Sequence, residues 1–512
     1  MFRLPIVKFF NRIFNRVTIT VVLVALQVLW LLWAFWSFTA GRVWLNGALK
    51  ALSILIVLYL VRKDENSAYK IGWIVLIGLL PLLGGALYLA FGNKAPAKYL
   101  RERMQKVEQA HQTELAQPEG QTDALDISSR NLSRYVAKFG PYPAWRDTAA
   151  HYFSCGEEMY PQLLADLEKA EKFIFLEFFI LRSGKMWDGV EQILRRKAAQ
   201  GVDVRLIYDD FGSLLGLPSD FVIRMEKAHI RCIPFNPVVP LVSLVMNHRD
   251  HRKIVVIDNK VAYVGGFNVG KEYIDLDEKF GHWRDTHLRI CGSAVLGLQV
   301  RFVLDWNYAA GENLFLRPEL FRGIEAGTRD FCDLQIISSG PDKTTQQIHD
   351  NYLRLINKAQ KSIYIQTPYF IPDEAILNAL MIAVKSGIEV NIMIPCMPDH
   401  PFVYWATYSY LGDMVMAGAN CYTYNNGFLH SKGMIVDDRV LCYGTANMDI
   451  RSFALNFEVN AVVYDEKKAW EMVEIFHRDL EVCRQITRDY YTGRNLKIRI
   501  KEQVCRLLSP LL

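Results

Sequence analysis

The stretch "DHRKIVVID" at residues 250–258 returns in altered form as "LHSKGMIVD" at 429–437. In both, a histidine and a lysine two positions apart enter a short apolar run, and an aspartate closes it. Side chains alternate across a strand, so His251 and Lys253 share one side and Arg252 takes the other; His430 and Lys432 do likewise, with Ser431 opposite. Seven residues past Asp258 and Asp437 a glycine turn begins that ends in asparagine: "GGFN" at 265–268 and "GTAN" at 444–447. The histidine-to-asparagine spacing is 17 in both copies, and the two histidines stand 179 residues apart.

More of the chain repeats in the same order. "LEKAEKFIFLEFFI" (167–180) matches "INKAQKSIYIQTPYF" (356–370), and "GVDVRLI" (201–207) matches "GIEVNIMI" (387–394). Recurrence of several elements in one order is the mark of an internal duplication. Each copy reads as an apolar strand, an amphipathic helix closed by Gly201 or Gly387, and a second apolar strand. Strand–helix–strand units imply parallel pairing under a helical cover. The fold class expected is therefore α/β, with two similar halves related by a pseudo-twofold axis.

The N-terminal region has another character. Residues 17–40 carry no charge, and 43–61 and 71–91 are also strongly apolar. These are expected to be transmembrane helices, because about 20 apolar residues cross a hydrocarbon core of roughly 30 Å. Lys50 weakens the second, and Pro81, Gly84 and Gly85 interrupt the third. Basic residues balance across the expected spans and leave orientation open: Arg3, Lys8, Arg12, Arg16, Arg62, Lys63 and Lys70 on one side, Arg42, Lys94, Lys98, Arg101, Arg103 and Lys106 on the other. Residues 93–140 turn polar, and "AQPEGQTDALD" reads as a flexible connector. The expected organisation is a membrane region (1–92), a juxtamembrane linker (93–140), a first half (141–330) and a second half (331–512). Formal net charge is only +5, which does not suit a nucleic-acid binder. Nine cysteines are scattered without a CxxC pair, so neither a zinc site nor a disulfide framework is expected.

Each half thus offers an imidazole, an ammonium and a carboxamide. Lysine and asparagine donate to anionic oxygens, while histidine attacks or shuttles protons. Two such sets across a twofold interface would put a histidine on either side of one phosphorus. One histidine could attack while the other protonates the departing oxygen. Lys253, Lys432 and the phosphate-binding Asn268 and Asn447 would hold the charged oxygens.

The doubled HxKxxxxD pattern with its GGxN or GTxN turn resembles the phospholipase D superfamily over roughly residues 140–512. That resemblance implies a catalytic set of His251, Lys253, Asp258, His430, Lys432 and Asp437, in which the two aspartates fix the loop after the strand. It also implies a phosphohistidine intermediate, no metal, no cofactor, and an acidic residue that orients each histidine, here Asp285 in "HWRDTH" and Glu458 in "NFE". Where the family often carries serine, this chain has Gly266 and Thr445, so the first half has one side-chain ligand fewer. "RKDENSAYKIGWIVLIGLLPLLGGALYLAFGNK" (62–94), "TPYFIPD" (367–373), "MDIRSFALNFE" (448–458) and "LLSPLL" narrow the likeness to bacterial cardiolipin synthases. The expected partners are then phosphatidylglycerol and membrane lipids, at a bacterial cell membrane, with no nucleic acid. A hydrolytic phospholipase D, or a transfer to another lipid acceptor, is the alternative reading.

Overall fold

The repeat becomes two matching strand orders in the computed structural model, which describes residues 29, 33, 43–63, 67–80, 84, 85, 88, 102, 122, 123, 125–140, 142–238, 248–321, 330–342 and 345–509. The first half contributes β1 (Ala144–Cys155), β2 (Phe173–Phe178), β3 (Asp203–Asp209), β4 (Arg231–Phe235), β5 (Lys253–Ile257), β6 (Val261–Gly265) and β7 (His282–Cys291). The second contributes β8 (Phe331–Ser339), β9 (Ser362–Gln366), β10 (Phe370–Ile371), β11 (Glu389–Pro395), β12 (Asn420–Tyr424), β13 (Gly427–Leu429), β14 (Gly433–Val436), β15 (Val440–Gly444), β16 (Met448–Asp449), β17 (Glu458–Tyr464) and β18 (Cys483–Gln485).

Among the described residues these strands build one continuous sheet, with β10 and β16 pairing apart from it. Outward from its centre, one side runs β1, β7, β6, β5, β2, β3, β4; the other runs β8, β17, β15, β14, β9, β11, β12 and ends on β18. Antiparallel pairing of β1 with β8 joins the halves, so the pseudo-twofold axis passes between them. The duplication and the α/β class read from the sequence both appear here.

The expected strand–helix–strand units are present. Helix Lys185–Ala199 links parallel β2 and β3, and helix Glu374–Lys385 links parallel β9 and β11. Gly201 (φ 91°) and Gly387 (φ 89°) take the left-handed turn after each helix, which a Cβ would disfavour. Every residue of β2, β5, β9 and β14 is buried. Strands covered on both faces need no polar alternation, which explains why these runs are largely apolar.

Part of the stretch expected to be a connector is ordered. Ile127–Phe139 is a helix whose Asp126 Oδ1 accepts from Ser128 N (2.9 Å) and Ser129 N (3.1 Å). Its buried Leu132 and Val136 face inward, and Tyr135 donates to Asp350. Amphipathic spacing and the Asp126 cap, rather than overall polarity, decided this segment.

The described residues up to Tyr88, together with 236–238 and His248, form a separate unit. Within it, helices Val43–Arg62 and Ser67–Leu79 pack around Leu60, Trp73, Ile77 and Tyr88. Among the described residues no helix is long and apolar enough to cross a membrane. Ser67–Leu79 has 13 residues, hence a length of about 20 Å, and Val43–Arg62 carries Lys50. The expected span 17–40 lies outside the described residues apart from Leu29 and Trp33, as do residues 81–83, 86, 87 and 89–91 of the third.

Candidate active site

Backbone pairing between the halves positions the histidines. His251 N donates to the carbonyl of Phe457 (3.0 Å), the residue before Glu458. His430 N donates to the carbonyl of Arg284 (2.7 Å), the residue before Asp285. Parallel pairing of β13 with the start of β7 extends the second contact. Each histidine is therefore laid against the strand entrance of the opposite half.

The carboxylates follow. His251 Nδ1 is 2.9 and 3.0 Å from the two Glu458 oxygens, and His430 Nδ1 is 2.7 Å from Asp285 Oδ2. The orienting pairs are crossed: a histidine from one half, a carboxylate from the other. Glu458 also accepts from Thr445 Oγ1 (2.5 Å), and Asp285 accepts from Trp283 Nε1 (3.1 Å) and Thr286 N (2.7 Å). Trp283 thus supplies the first half with the donor that Gly266 lacks. A Cβ at Gly266 would stand 1.8 Å from Asp285 Oδ1, so glycine here leaves the carboxylate its place.

Both histidines line one cavity of about 480 Å³. Phe179 stands edge-on to His251 at 5.0 Å between ring centroids, and Trp283 (5.1 Å) and Tyr273 (5.9 Å) flank His430. Asn268, Asn447, Tyr369, Asp449 and Arg451 complete much of the wall. The Asn268 carboxamide accepts from Ile180 N (2.9 Å) and donates to Tyr273 (2.8 Å). The Asn447 carboxamide oxygen is buried and has no partner among the described residues. Lys253 and Lys432 are fully buried, and each donates to the backbone carbonyl of its own histidine.

Burial governs the electrostatics. It pushes His251 down to about 4, with the charges of Lys253 and Lys432 acting in the same direction against Glu458. His430 is lowered by burial and then by Lys432. Burial lowers Lys253 to about 7 and Lys432 to about 8. Burial alone would raise Glu458 and Asp285, but His251 and His430 respectively, with the lysines, hold both below the usual carboxylate range. A neutral His251 beside an ionised Glu458 keeps its proton on Nδ1 and its lone pair on Nε2.

Asp258 and Asp437, grouped with the catalytic residues on the strength of the sequence, stand elsewhere. Asp258 accepts from the backbone N–H groups of Glu171, Lys172 and Phe173 at 2.6–2.9 Å. Asp437 does the same for Gln360, Lys361 and Ser362 at 2.7–3.1 Å. Both take left-handed backbone, φ 53° and 55°, and neither lines the cavity. They close the turn after the strand and cap the start of β2 or β9, because a carboxylate collects several N–H donors that would otherwise be unmet. Asp258→Ala is expected to cost about 2 kcal/mol of stability. Thermal unfolding and kcat of the remaining folded enzyme check it: Tm falls while kcat changes little.

Sequence reading missed Trp283, Tyr273 and Phe179. Trp283 was accessible to it, since position i−2 on a strand shares the side of Asp285. Phe179 and Tyr273 had no such signal. The fold and this site define a two-half phospholipase D-like protein built for phosphoryl transfer.

The family described as "Cardiolipin synthase, PLD-like domain" matches residues 163–281 and 352–480, and "Phospholipase_D-nuclease N-terminal" matches 51–93. The chain is 40% identical to a cardiolipin synthase of Oceanobacillus iheyensis over 90% of its length and 97% of that protein. It is 41% identical to the major cardiolipin synthase of Bacillus subtilis, over 91% of this chain and 97% of the other. A solved phosphatidylserine synthase from Haemophilus influenzae shares the fold at 14% identity and TM-score 0.57, covering 75% of this chain and all of that one. The chain belongs to the cardiolipin synthase family of phospholipase D-like proteins.

Proposed function

We propose that this chain is a cardiolipin synthase, a phosphatidyltransferase that joins two phosphatidylglycerol molecules and releases glycerol. The observation that carries the reading is a single cavity lined by two histidines, each held at Nδ1 by a carboxylate. His251 Nε2 attacks the phosphorus of one phosphatidylglycerol. The P–N bond forms as the P–O bond to the headgroup glycerol breaks, and His430, entering the step as an imidazolium with its Nδ1–H on Asp285, gives its Nε2 proton to that oxygen. His430 then takes the proton from the terminal hydroxyl of a second phosphatidylglycerol, whose oxygen displaces His251. One phosphodiester replaces another, so no nucleotide is consumed. Lys253 and Lys432 offset the negative charge of the phosphodiester, and the Asn268 and Asn447 amide N–H groups donate to its oxygens. The aromatic wall of Phe179, Tyr273 and Trp283 limits water, which would otherwise hydrolyse the intermediate.

The same reading takes residues 1–92 as the membrane region of a bacterial cell-membrane protein, with 93–140 as the connection and 141–330 and 331–512 as the two catalytic halves. Exposed Leu52, Ile54, Leu55, Leu58 and Val61 on helix Val43–Arg62 support a lipid-facing surface.

Incubating the purified full chain with phosphatidylglycerol alone tests the reaction. Cardiolipin and glycerol in equal amounts are expected; phosphatidic acid as the main product would make the enzyme a hydrolase, and no turnover would overturn the assignment.

The pH profile has a definite shape. His251 must be neutral to attack, and its pKa near 4 keeps it so across the ordinary range. The acid limb of kcat/KM for the free enzyme is therefore expected near pH 4, well below that of an ordinary histidine. Lys253 and Lys432 lose charge as pH rises through about 7 and 8, which weakens capture of an anionic phosphodiester. His430 must carry the proton it gives, and burial lowers its pKa, so the alkaline fall in kcat/KM is expected to begin below the ordinary histidine range and to continue through the lysine window, measured on dispersed short-chain phosphatidylglycerol. An acid limb at 6.5 would contradict the buried neutral nucleophile.

A further inference from the structure

Helix Leu496–Leu508 has two unlike faces. One is packed: Glu502 pairs with Arg494 (2.8 Å), and Cys505 sits against Ile371 and Ala406, with Val403 beside them. Ser509, just past the helix, meets Tyr410 at 2.9 Å. The opposite face carries Leu496 (71% exposed), Ile500 (54%), Val504 (53%) and Leu507 (71%). At 100° per residue these four fall within about 80° of arc. Lys497 and Lys501 border that stripe on one side and Arg499 on the other, while Arg506 pairs with Asp413 (2.7 Å) and lies over Tyr410. Glu502, the one acidic residue of the helix, is buried on the packed face.

We propose that this helix lies in the surface of an anionic phospholipid bilayer, with its apolar stripe in the acyl boundary and its cations at the headgroups. An apolar stripe flanked by lysine and arginine is the pattern of an in-plane interfacial helix, because the long basic side chains reach up to the phosphates. Charge selects this occupant over a second copy of the chain, which would set Lys497, Arg499 and Lys501 against their own equivalents. Position gives the helix its use. Ile371, Val403 and Ser509, which meet or adjoin it, also line the cavity of the two histidines. Seating the helix in the headgroup layer brings the cavity mouth to the depth at which a lipid phosphate resides. The inference rests on the lipid-transfer reading above and adds where that lipid enters.

The test uses the full chain reconstituted in mixed phosphatidylcholine–phosphatidylglycerol vesicles, with Val504→p-benzoylphenylalanine as a photocrosslinker. Adducts to phospholipid are expected; adducts to a second copy of the chain, or none to lipid, would overturn the proposal. In parallel, Ile500→Asp/Leu507→Asp and, separately, Lys497→Gln/Lys501→Gln are assayed on vesicles and on dispersed short-chain phosphatidylglycerol. Each is expected to raise KM roughly tenfold on vesicles and to leave kcat/KM on dispersed lipid unchanged. An equal loss on both substrates, or no loss on either, would refute the role. Cardiolipin formed from dispersed lipid without crosslinking would sink this inference alone. Lipid adducts without any cardiolipin would sink the functional reading alone.

Discussion

His251→Asn is expected to stop cardiolipin formation, with a fall in kcat on the order of 10⁵, the scale seen when a nucleophile is removed from a concerted site. The residue lines the cavity and is 8% exposed, and asparagine is smaller, so the fold survives. His430→Asn is expected to be similarly inactive on phosphatidylglycerol, but for a different reason, and the two can be separated. A phosphatidyl ester of p-nitrophenol needs no acid to release its leaving group. With that substrate His430→Asn should give a burst of p-nitrophenol and then stall, because the phosphatidyl-His251 formed lacks a base to activate its acceptor. His251→Asn should give no burst. The reverse result would assign nucleophile and acid–base catalyst the other way round. Mass spectrometry of the stalled protein identifies the modified residue directly.

The second large effect tests the crossed pairing. Asp285 binds His430, and Glu458 binds His251, across the boundary between the halves. Asp285→Asn is therefore expected to reproduce the His430 defect: turnover falls by about 10²–10⁴, and the burst with the activated ester remains. Glu458→Gln should instead suppress the burst, since a glutamine no longer fixes the Nδ1–H tautomer that leaves Nε2 free to attack. Removing both members of a pair should cost little more than removing the histidine alone, because the carboxylate acts through it. If Asp285→Asn shared its burst behaviour with His251→Asn, and Glu458→Gln with His430→Asn, orientation would run within each half and the crossed geometry would have no catalytic meaning. Thermal unfolding of both variants controls for the buried position of the two carboxylates, each 0% exposed.

Much of this protein was legible in its residues. The doubled histidine–lysine–asparagine spacing, the glycines after each helix and the apolar strands establish two α/β halves. They also nominate the two histidines and the two lysines, because local periodicity and spacing are properties of the chain itself, whereas both orienting carboxylates follow only from the family resemblance. Segment polarity was a poorer guide: Ile127–Phe139 lay in a polar stretch, yet its apolar spacing and the Asp126 cap make it a helix. Asp258 and Asp437, grouped with the motif but expected to fix the loop after the strand, do so by tying down the starts of β2 and β9. Only the tertiary structure decided which carboxylate serves which histidine. Those partners are 207 and 145 residues apart, and no local pattern encodes contact over such separations. The register of β8 on β1 and of β13 on β7 sets it, and register depends on how two completed halves dock.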